Sequence, residues 1–388
     1  MNLIIIPFHD WRKSENEGFR TRDVHFIKAF AKNDRVEKIL IINRPFTKLE
    51  LLLNQYKQRL PGELIFKRRG FALTKVSDKI YVLDYLSLDV INQILLRHKW
   101  FIRRYGDKKL LQFIYQVLDM LDISNTSLIC QNVFSNKLAI KLKSKFKLFD
   151  AWDNFTKFPN YSHLNSEISN GYNSLSEHIK TWITNSKENQ DFFKDNFGAK
   201  KISLIKNGVS QSFAKNCLEV PQDMRSIPHP IAGFGGKMSY LIDTDIINYI
   251  VKDNPDISFV FVGQILDKEK FKEINNSANL YFLGDKKYDI YPCYVNNFDV
   301  GIIPYEINDK QHGGDSIKAY EYLQAGLKVI GTHGNGLLDL SDYLYLAKDK
   351  FQFSEFLKKD LDSKKKFDSD KFSWESKSEK IISLLEHE

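Results

Sequence analysis

The sequence predicts an α/β fold with two doubly wound domains that face a cleft. Two series of strand and helix patterns follow one another, and a proline-bearing stretch at 217–230 separates them as an interdomain linker. Within each series, short runs rich in Ile, Val, Leu and Phe alternate with longer amphipathic stretches, which is typical of parallel strands joined by crossover helices. A length of 388 residues also suits two domains of ordinary size.

The first series begins with the apolar run that ends at Pro7. We interpret it as a buried strand and not as a signal peptide, because it is short and no positively charged segment precedes it. Helices are predicted at 23–31 and 108–121. The predicted strands are 3–7, 38–42, 80–83, 127–130, 147–149, 181–184 and 202–205.

The second series begins with a strand from Pro230 that runs into a glycine turn at Gly236. Helices are predicted at 243–252 and 317–325, and further strands at 258–262, 280–283, 299–303 and 328–331. We therefore predict an N-terminal domain at 1–215 that also receives the final helix, 373–388, and a C-terminal domain at 216–372. In such sheets, ligands bind outside the carboxyl ends of the strands.

Composition excludes several classes of protein. The chain is 43% apolar and 27% charged, unlike disordered or disulfide-built chains, and no apolar run is long enough to span a bilayer. Cys130, Cys217 and Cys293 fit no metal spacing and indicate buried thiols in a reducing compartment. We expect a cytoplasmic protein, either free or peripheral at the inner face of the plasma membrane.

The formal charge of +8 favours anionic partners. The stretch 97–109 interleaves six Lys or Arg residues with aromatic ones. It is consistent with a solvated helix face or with contact to anionic lipid headgroups. No nucleic-acid recognition motif is present, so nucleic acid is not an expected partner.

The clearest chemical signal follows the strand at 299–303. A polar loop with Gly313-Gly314 leads into a short helix that opens near Asp315, and free N–H groups at such a helix start suit an anion. Lys318 in the first turn adds a cation suited to a diphosphate, and Glu321 could accept hydrogen bonds from ribose hydroxyls. The alternative is a Lys318–Glu321 pair on a solvated helix face.

This segment resembles the nucleotide-sugar site of retaining GT-B glycosyltransferases of family 4, especially teichuronic-acid-type and capsule-type bacterial members. The resemblance implies a GT-B fold with two Rossmann-like domains, with Glu321 at the donor ribose and Lys318 near the phosphates. The residues that match the pattern of that family are Asp299, Pro304, Lys318, Tyr320, Glu321, Tyr322, Leu323 and Gly326.

Other stretches agree with the family in order and spacing. Asn207-Gly208-Val209 resembles the element before the interdomain linker, and the turn at 233–238 resembles the one that approaches the donor phosphates. Gly313 stands where many members carry a first glutamate, so His312, Asp315 or the backbone of the glycine pair would hold the sugar instead. The donor-binding residues that the resemblance and the loop pattern imply in this half are Gly235, Gly236, Lys237, Gly263, Tyr291, His312, Gly313, Gly314, Asp315, Ser316, Lys318 and Glu321.

The N-terminal half carries weaker signals. A glycine-bearing loop with Gly18, Arg20 and Arg22, followed by His25, would meet the donor phosphate or a charged acceptor, or else consist of solvated loop charges. Asp153, three residues after Asp150, follows a predicted strand and resembles an acceptor-side segment of the family. It is a candidate for receiving the proton of the acceptor hydroxyl, and a helix-capping carboxylate is the alternative.

No metal or other cofactor is expected. Asp243-Thr-Asp245 has the form of a metal-binding DxD but stands at a helix start, where Asp caps free N–H groups. The expected function is metal-independent transfer of a sugar from a nucleotide-sugar, UDP first and GDP second, to a glycan or lipid-linked acceptor in surface polysaccharide synthesis, such as capsule or lipopolysaccharide. Asp153, Lys318 and Glu321 are the expected catalytic residues. A nucleotide-sugar 2-epimerase and a non-catalytic sugar-binding protein of the same fold are the alternatives.

Overall fold

Parallel strands form the core of both halves of the chain, as the repeating strand and helix patterns predict. In the computed structural model the chain divides into two units, Met1–Ile205 with Ser378–Glu388 and Lys206–Lys377. The structure describes residues 1–215, 219–307, 314–334, 336–360 and 364–386. The expectation of two doubly wound α/β units is confirmed.

Residues 1–205 contribute ten strands to one sheet. Its order is β10-β9-β8-β7-β1-β2-β6-β5-β4, with β3 beside β6, and only the pairs β4–β5 and β5–β6 are antiparallel. β1 is buried along its whole length, as expected for a parallel strand covered on both faces. The strands are β1 (Asn2–Ile6), β2 (Lys38–Ile42), β3 (Phe46–Thr47), β4 (Glu63–Arg68), β5 (Phe71–Lys75), β6 (Ile80–Ser87), β7 (Thr126–Cys130), β8 (Phe146–Asp150), β9 (Thr181–Thr184) and β10 (Lys201–Leu204).

Three of the described helices of this unit, α1, α3 and α9, begin at a side-chain cap. α9, for example, begins after Ser186, whose hydroxyl accepts a hydrogen bond from the Asn189 N–H at 3.2 Å, and it ends at Gly198 in the left-handed conformation. The helices are α1 (Trp11–Asn16), α2 (Arg22–Lys32), α3 (Lys48–Leu53), α4 (Val90–Leu96), α5 (His98–Tyr105), α6 (Lys108–Met120), α7 (Asn136–Lys141), α8 (Asn165–His178) and α9 (Lys187–Phe197).

The second unit has a wholly parallel sheet of six strands among its described residues, in the order β13-β12-β11-β14-β15-β16. Its strands are β11 (Ile231–Gly235), β12 (Ser258–Val262), β13 (Leu280–Gly284), β14 (Val300–Ile303), β15 (Lys328–Thr332) and β16 (Tyr345–Ala347). Its helices are α10 (Thr244–Asp253), α11 (Lys268–Phe271), α12 (Tyr291–Asn296), α13 (Ile317–Gln324) and α14 (Lys350–Lys358), and α15 (Trp374–Glu386) crosses the unit boundary at 377–378.

The structure differs from the sequence prediction around the unit boundary. The unit boundary lies between Ile205 and Lys206, whereas the predicted domain boundary is at 215/216. Phe213, Met224 and Ile227 are buried in the core of the second unit, so the described part of the predicted linker is packed structure rather than an extended connection. The β4–β5 hairpin, whose first strand is mostly exposed, was not predicted. The N-cap role predicted for Asp243 is confirmed, because its side chain accepts from the Ile246 N–H at 2.9 Å.

The expectation of buried free thiols holds for one of the two described cysteines. Cys130 is a buried free thiol, as expected, but Cys293 is disulfide-bonded, so the expectation of a free thiol is wrong for that residue. Cys217 lies outside the described residues. In the part of the chain that the structure describes, no helix combines the length and the apolar character needed to cross a membrane.

Candidate functional site

The order of the second sheet reverses between β11 and β14, and ligands of doubly wound folds bind at this point. β11 ends in the turn Gly235-Gly236-Lys237, and β14 is followed by Pro304 and Tyr305. These two strand ends lie at the same edge, because β11 and β14 are parallel neighbours. The candidate site of this unit is therefore the group of residues that surround the Gly235-Gly236 turn.

Glycine is required at two turns of this edge. Gly236 has φ +134° and Gly263, which follows β12, has φ +145°. A Cβ atom at Gly263 would lie 2.0 Å from the carbonyl oxygen of Gly236, so the two turns are in direct backbone contact. Such turns let the backbone approach a ligand closely, because no side chain stands in the way.

Lys318 brings a cation to the same turn. Its Nζ donates a hydrogen bond to the Tyr305 hydroxyl at 2.7 Å and lies 5.3 Å from the centre of the Phe234 ring. A Cβ atom at Gly236 would be 2.7 Å from Lys318 Cε, which shows how closely the side chain covers the turn. Lys318 belongs to the first turn of α13, so its charge and the positive end of the helix dipole act at one place.

Glu321, one turn further along α13, is buried rather than solvated. It is 4% exposed, and its Oε1 accepts a hydrogen bond from the Tyr288 hydroxyl at 2.7 Å. Burial raises the pKa of the Glu321 carboxyl to about 7, against the opposing effects of the Tyr288 hydrogen bond and the Lys318 charge. The alternative of a Lys–Glu pair on a solvated helix face is therefore wrong.

Tyrosine side chains support the glycine turn from within the unit. The Gly235 N–H donates to the Tyr322 hydroxyl at 2.7 Å, and a Cβ atom at Gly235 would lie 1.8 Å from the Tyr291 hydroxyl. Tyr291 is buried against Tyr288 and Phe213. Its assignment to donor binding stays a prediction, and its contact with Gly235 shows that it positions the turn.

The start of α13 contains the other predicted donor residues. Asp315 is held inside the unit, because its carboxylate accepts from the Asn207 N–H at 2.6 Å and from the Tyr320 hydroxyl at 2.8 Å. This geometry gives Asp315 a structural part and does not support its assignment to the donor sugar. The Ser316 hydroxyl is buried and has no hydrogen-bond partner among the described residues. Gly314 contacts the turn at Gly336, and His312 and Gly313 lie outside the described residues.

In the first unit the sheet order reverses between β1 and β7, and the sequence analysis named no site residue in the loop after β1. His9 lies in that loop. Its Nδ1 is 3.0 Å from Asp23 Oδ2, and its backbone N–H donates to the same oxygen at 2.8 Å. Burial opposes ionisation of Asp23, but the charge and hydrogen bond of His9 lower the Asp23 pKa to about 2. The His9 ring also lies 6.0 Å from that of Trp152, which follows β8.

A carboxylate that orients an imidazole at the end of a central strand is an arrangement that acid–base sites use. His9 lies in the stretch Pro7-Phe-His-Asp-Trp11 that follows the first strand, and only the fold brings Asp23 to it, so spacing along the sequence gave no sign of this pair.

Two of the basic residues predicted in this unit are paired with acidic residues of the same unit. The Arg22 guanidinium is buried, pairs with Asp150 at 3.2 Å and donates to the Ile205 carbonyl at 2.9 Å. Arg20 pairs with Glu17 at 3.1 Å. Burial lowers the pKa of His25 to about 3, so this imidazole carries no charge for a phosphate. The donor-binding role of Arg22 stays a prediction that this geometry does not favour.

Gly18 and Asp153 complete the predicted set. Gly18 has φ +75° and lies in the turn between α1 and α2. Asp153 is buried after β8, and its backbone carbonyl accepts from the Tyr172 hydroxyl at 3.2 Å. It follows the same strand as Trp152, whose ring contacts His9. Among the residues that the structure describes, no three His, Cys, Asp or Glu side chains form a group that could hold a metal ion.

The architecture defines the class of protein: the chain has the GT-B fold of glycosyltransferases. It superposes over 100% of its length on an E. coli trehalose-6-phosphate structure bound with UDP-2-fluoro glucose, covering 99% of that chain with a TM-score of 0.68 and 10% sequence identity. It also matches a sucrose-phosphate synthase from Thermosynechococcus elongatus over 100% of its own length and 98% of the other chain, with a TM-score of 0.65 and 10% identity.

Sequence comparison adds one named relative. The chain is 27% identical over 142 residues to TuaH of Bacillus subtilis (strain 168), which is provisionally named as a teichuronic acid biosynthesis glycosyltransferase. The match covers 35% of this chain and 35% of the relative, so the chain matches about a third of the length of that curated relative. No protein-family model matches the sequence.

Proposed function

We propose that the protein is a glycosyltransferase whose second unit binds a nucleotide-sugar donor. The observation that carries the proposal is the position of Lys318, whose ammonium group covers the Gly236 turn and contacts Tyr305 at the reversal point of the parallel sheet. Glu321 is buried one helical turn away. A cation and a carboxylate at this spacing fit the diphosphate and the ribose of one nucleotide. The GT-B fold and the sequence similarity to TuaH support the same assignment.

The diphosphate would bind at the positively polarised edge of the sheet. The Lys318 ammonium group lies over the Gly236 turn, Lys237 follows that turn in sequence, and Lys318 itself belongs to the N-terminal end of α13. Each of these groups favours negative charge, so together they stabilise the diphosphate both in the bound donor and as the leaving group. The buried hydroxyl of Ser316 lies at the same helix start.

Glu321 would bind the nucleoside. In its ionised form, the carboxylate accepts hydrogen bonds from the vicinal ribose hydroxyls, with Tyr288 as the third donor to it. A carboxylate is better suited to this part than an amide, because it only accepts and both ribose hydroxyls are donors. We infer UDP as the first candidate nucleotide and GDP as the second.

The chemical step would rely on electrostatic positioning. As the bond from the anomeric carbon to the diphosphate breaks, negative charge grows on the leaving oxygens, and Lys318 with Lys237 and the α13 terminus stabilises it. The sugar acquires oxocarbenium character and is attacked by an acceptor hydroxyl on the face from which the diphosphate leaves, as retention requires. A carboxylate such as Asp153 would receive or orient the proton of that hydroxyl. We propose that this step needs no metal and that it retains the anomeric configuration, on the basis of the family resemblance described above.

The acceptor class follows from comparison and not from contacts in the structure. The name of TuaH points to an acceptor in the synthesis of a bacterial surface polysaccharide. We therefore propose a glycan or lipid-linked acceptor, with capsule and lipopolysaccharide assembly as candidate settings, at the cytoplasmic face of the membrane. This part of the proposal is fold-level and sequence-level analogy.

Thermal unfolding with a panel of UDP-, GDP-, dTDP- and CMP-sugars tests the donor site. A ligand at 100 times its Kd should stabilise the protein by about 2.7 kcal/mol, which shifts the unfolding midpoint visibly. We expect one nucleotide family to stabilise the wild type, and Lys318→Met and Glu321→Gln to weaken that effect. Lys252→Met and Glu355→Gln are matched controls, because both residues are exposed in the same unit. Equal stabilisation of all four variants would contradict the site assignment.

Product analysis then separates the proposed reaction from its alternatives. Incubation with the identified donor and a membrane or polysaccharide extract should transfer labelled sugar to the extract. Conversion of the donor to its 2-epimer without an acceptor would identify an epimerase instead. Binding of the nucleotide with neither product would identify a non-catalytic binding protein.

A further inference from the structure

Six large apolar side chains are exposed together in the first unit. Between 57% and 83% of each is accessible to solvent, although leucine and isoleucine are the residues most often buried in a domain of this size. None of the six contributes to the candidate site. They are Leu52, Leu53, Leu88, Ile91, Ile94 and Leu95.

The fold brings the two sequence segments that carry them together. β3 and β6 are parallel neighbours, with Thr47 opposite Ser87, so the segments that follow both strands leave the sheet at the same edge. α3 begins directly after β3, and Leu88 and α4 follow β6. Gln93 in α4 connects the helices, because its Nε2 donates to Glu50 Oε2 in α3 at 2.8 Å and its Oε1 accepts from Thr47.

α4 has an apolar face that no other part of the described residues covers. None of its seven residues is buried. Ile91, Ile94 and Leu95 are spaced i, i+3 and i+4, which places them on one side of the helix. A helix of a soluble unit normally turns such a side toward the core. Here that side is exposed to solvent, and so are Leu52 and Leu53 of α3, the helix to which Gln93 connects α4.

Exposed cationic side chains stand in the segments that adjoin these apolar residues. The tip of the β4–β5 hairpin lies beside the end of β6, because the Leu86 N–H donates to the Gly70 carbonyl at 2.7 Å. This contact brings the exposed Lys67-Arg68-Arg69 run close to Leu88. The exposed cations of the segments that adjoin the six apolar residues are Lys48, Lys67, Arg68, Arg69, Arg97, Lys99 and Arg103.

Two acidic groups of the same region are paired with arginines, and Glu167 is paired with Lys99 at 2.5 Å. Arg44 pairs with Glu50 in α3, and Arg104 pairs with Asp89 at the start of α4. The region therefore combines an apolar centre with a positive border. We call the six apolar residues and the seven surrounding cations the docking surface.

We propose that the docking surface binds an anionic lipid bilayer. The leucine and isoleucine side chains enter the boundary between headgroups and acyl chains, and the lysine and arginine side chains contact the phosphate groups above it. The positive border favours an anionic lipid surface over a second copy of this chain, because two such borders would repel one another. The proposal does not depend on glycosyl transfer, and it goes beyond the function proposed above.

The proposed position differs from the stretch 97–109 that the charge pattern indicated. The aromatic side chains of Trp100 and Tyr105 in that stretch are fully buried, and Arg104 is held by Asp89 and Asp107. Those groups are not available to lipid. Only the exposed cations of that stretch contribute to a surface whose apolar part comes from α3, Leu88 and α4.

Vesicle flotation tests the proposal with the full-length protein. We expect the wild type to float with vesicles of phosphatidylcholine and phosphatidylglycerol, to float poorly with phosphatidylcholine alone, and to dissociate as salt is raised. Ile91→Ser/Leu95→Ser should weaken binding about tenfold for each apolar side chain removed. Arg68→Ser/Arg69→Ser should weaken binding to anionic vesicles.

Matched variants and two further measurements keep the test decisive. Leu266→Ser/Phe351→Ser removes two exposed apolar side chains of the second unit, and Lys200→Ser/Lys201→Ser removes two exposed cations elsewhere in the first, so both should float like the wild type. Circular dichroism and nucleotide binding should be unchanged in every variant. Equal flotation of Ile91→Ser/Leu95→Ser and the wild type would overturn the proposal. So would sedimentation showing a dimer that this variant abolishes, with no flotation of the wild type.

Discussion

Lys318 lies at the centre of the proposed donor site, and its surroundings explain why it is suited to phosphate. Its ammonium group contacts the Tyr305 hydroxyl and two aromatic rings, so the side chain is held in place before any ligand arrives. A positioned cation loses less conformational entropy on binding than a mobile one does. The hydrogen bond to Tyr305 leaves the other N–H donors of the ammonium group for a diphosphate.

Replacing Lys318 with Met should therefore weaken nucleotide binding strongly. Hydrogen bonds to charged groups contribute about 1.5–3 kcal/mol, which corresponds to a rise in Kd of roughly tenfold to a hundredfold. Isothermal titration with the identified nucleotide measures it. The Lys252→Met control should bind like the wild type, since Lys252 is exposed on α10. Unchanged affinity of Lys318→Met would place the diphosphate elsewhere.

Glu321 should make nucleotide-sugar binding depend on pH. Its pKa of about 7 means that the carboxyl is largely protonated at pH 6 and largely ionised at pH 8 in the free protein. Ribose hydroxyls donate to the ionised form, so affinity should rise between these two pH values. Titration of a nucleotide-sugar, which has no terminal phosphate that titrates in this range, follows the change. Glu321→Gln should show weaker binding with no such slope.

Glu321 should also make the free energy of unfolding fall as the pH rises. The Glu321 pKa is raised from 4.5 to about 7 in the folded state, so the folded protein retains a proton that the unfolded chain releases. Its contribution to the free energy of unfolding is therefore highest below about pH 4.5 and is lost as the pH rises to about 7. Denaturation of the wild type and Glu321→Gln across this range should show the wild type losing stability relative to the variant. A difference that does not change with pH would contradict the burial of an ionisable group here.

His9 and Asp23 lead to a prediction for the first unit. His9→Asn removes the imidazole that Asp23 orients, while the second unit and its proposed nucleotide site are untouched. If the pair serves acid–base or acceptor positioning, transfer should fall by about 10²–10⁴-fold and nucleotide binding should stay constant. Single-turnover assays beside nucleotide titration measure both. An unchanged transfer rate would assign the pair to structure alone.

Among the elements, the turns after β11 and β12 shape the donor site most directly. Gly236 and Gly263 both have positive φ, and their backbones touch. Gly284, at the end of β13, also has positive φ, but a Cβ atom there would meet nothing within 4 Å. The three positions therefore separate the effect of backbone conformation from the effect of a close approach.

Gly263→Ala and Gly284→Ala form a matched pair. Gly284→Ala should cost about 1 kcal/mol of stability, because only the left-handed conformation is strained. In Gly263→Ala the new Cβ atom would also lie 2.0 Å from the Gly236 carbonyl oxygen. This variant should therefore lose more stability than Gly284→Ala, and the turn that faces the donor should be displaced. Chemical denaturation and nucleotide titration measure the two effects. Equal results for both variants would contradict the direct contact of the turns.

For the whole molecule, the chain passes from the first unit to the second and then returns to the first. The first unit contains 1–205 and the C-terminal end of α15, so its fold is completed by the last residues described. Ile381, Ile382 and Leu385 are almost completely buried in this part of α15. Arg35 pairs with Glu386 at 2.6 Å and also with Glu379, which fastens the helix to the first unit from its polar side.

Ile382→Ala should destabilise the first unit by about 2–5 kcal/mol, because it leaves a cavity where a buried side chain was. Lys380→Ala, on an exposed position of the same helix, should change stability by less than about 0.5 kcal/mol. Nucleotide binding, which we assign to the second unit, should survive at temperatures where Ile382→Ala is still folded. Loss of nucleotide binding at those temperatures would show that the two units are coupled.

Much of this protein was predictable from sequence, for physical reasons that differ between elements. The strands at 38–42, 181–184 and 258–262 were predicted with their observed ends, because short buried runs between turn residues are local signals. The helix that carries Lys318 and Glu321 was predicted from the glycine pair before it and from its period, and the structure has a helix at Ile317–Gln324. The roles of the two side chains in donor binding stay predictions. The hairpin of β4 and β5 was missed because the β4 side chains are mostly exposed, so no buried pattern marks it.

The sequence by itself determined the α/β class, the two strand and helix series, and the residues that gather around the Gly236 turn, because these depend on local periodicity and on the residues at strand ends. Only the tertiary structure decided which charged side chains are bonded within the protein and which remain available to a ligand. It paired Arg22 with Asp150, bound Asp315 to Asn207 and joined His9 to Asp23. It also brought the exposed apolar residues of α3 and α4 side by side. These outcomes depend on contacts between distant segments, and neither composition nor spacing along the chain encodes the distance between two side chains in the folded protein.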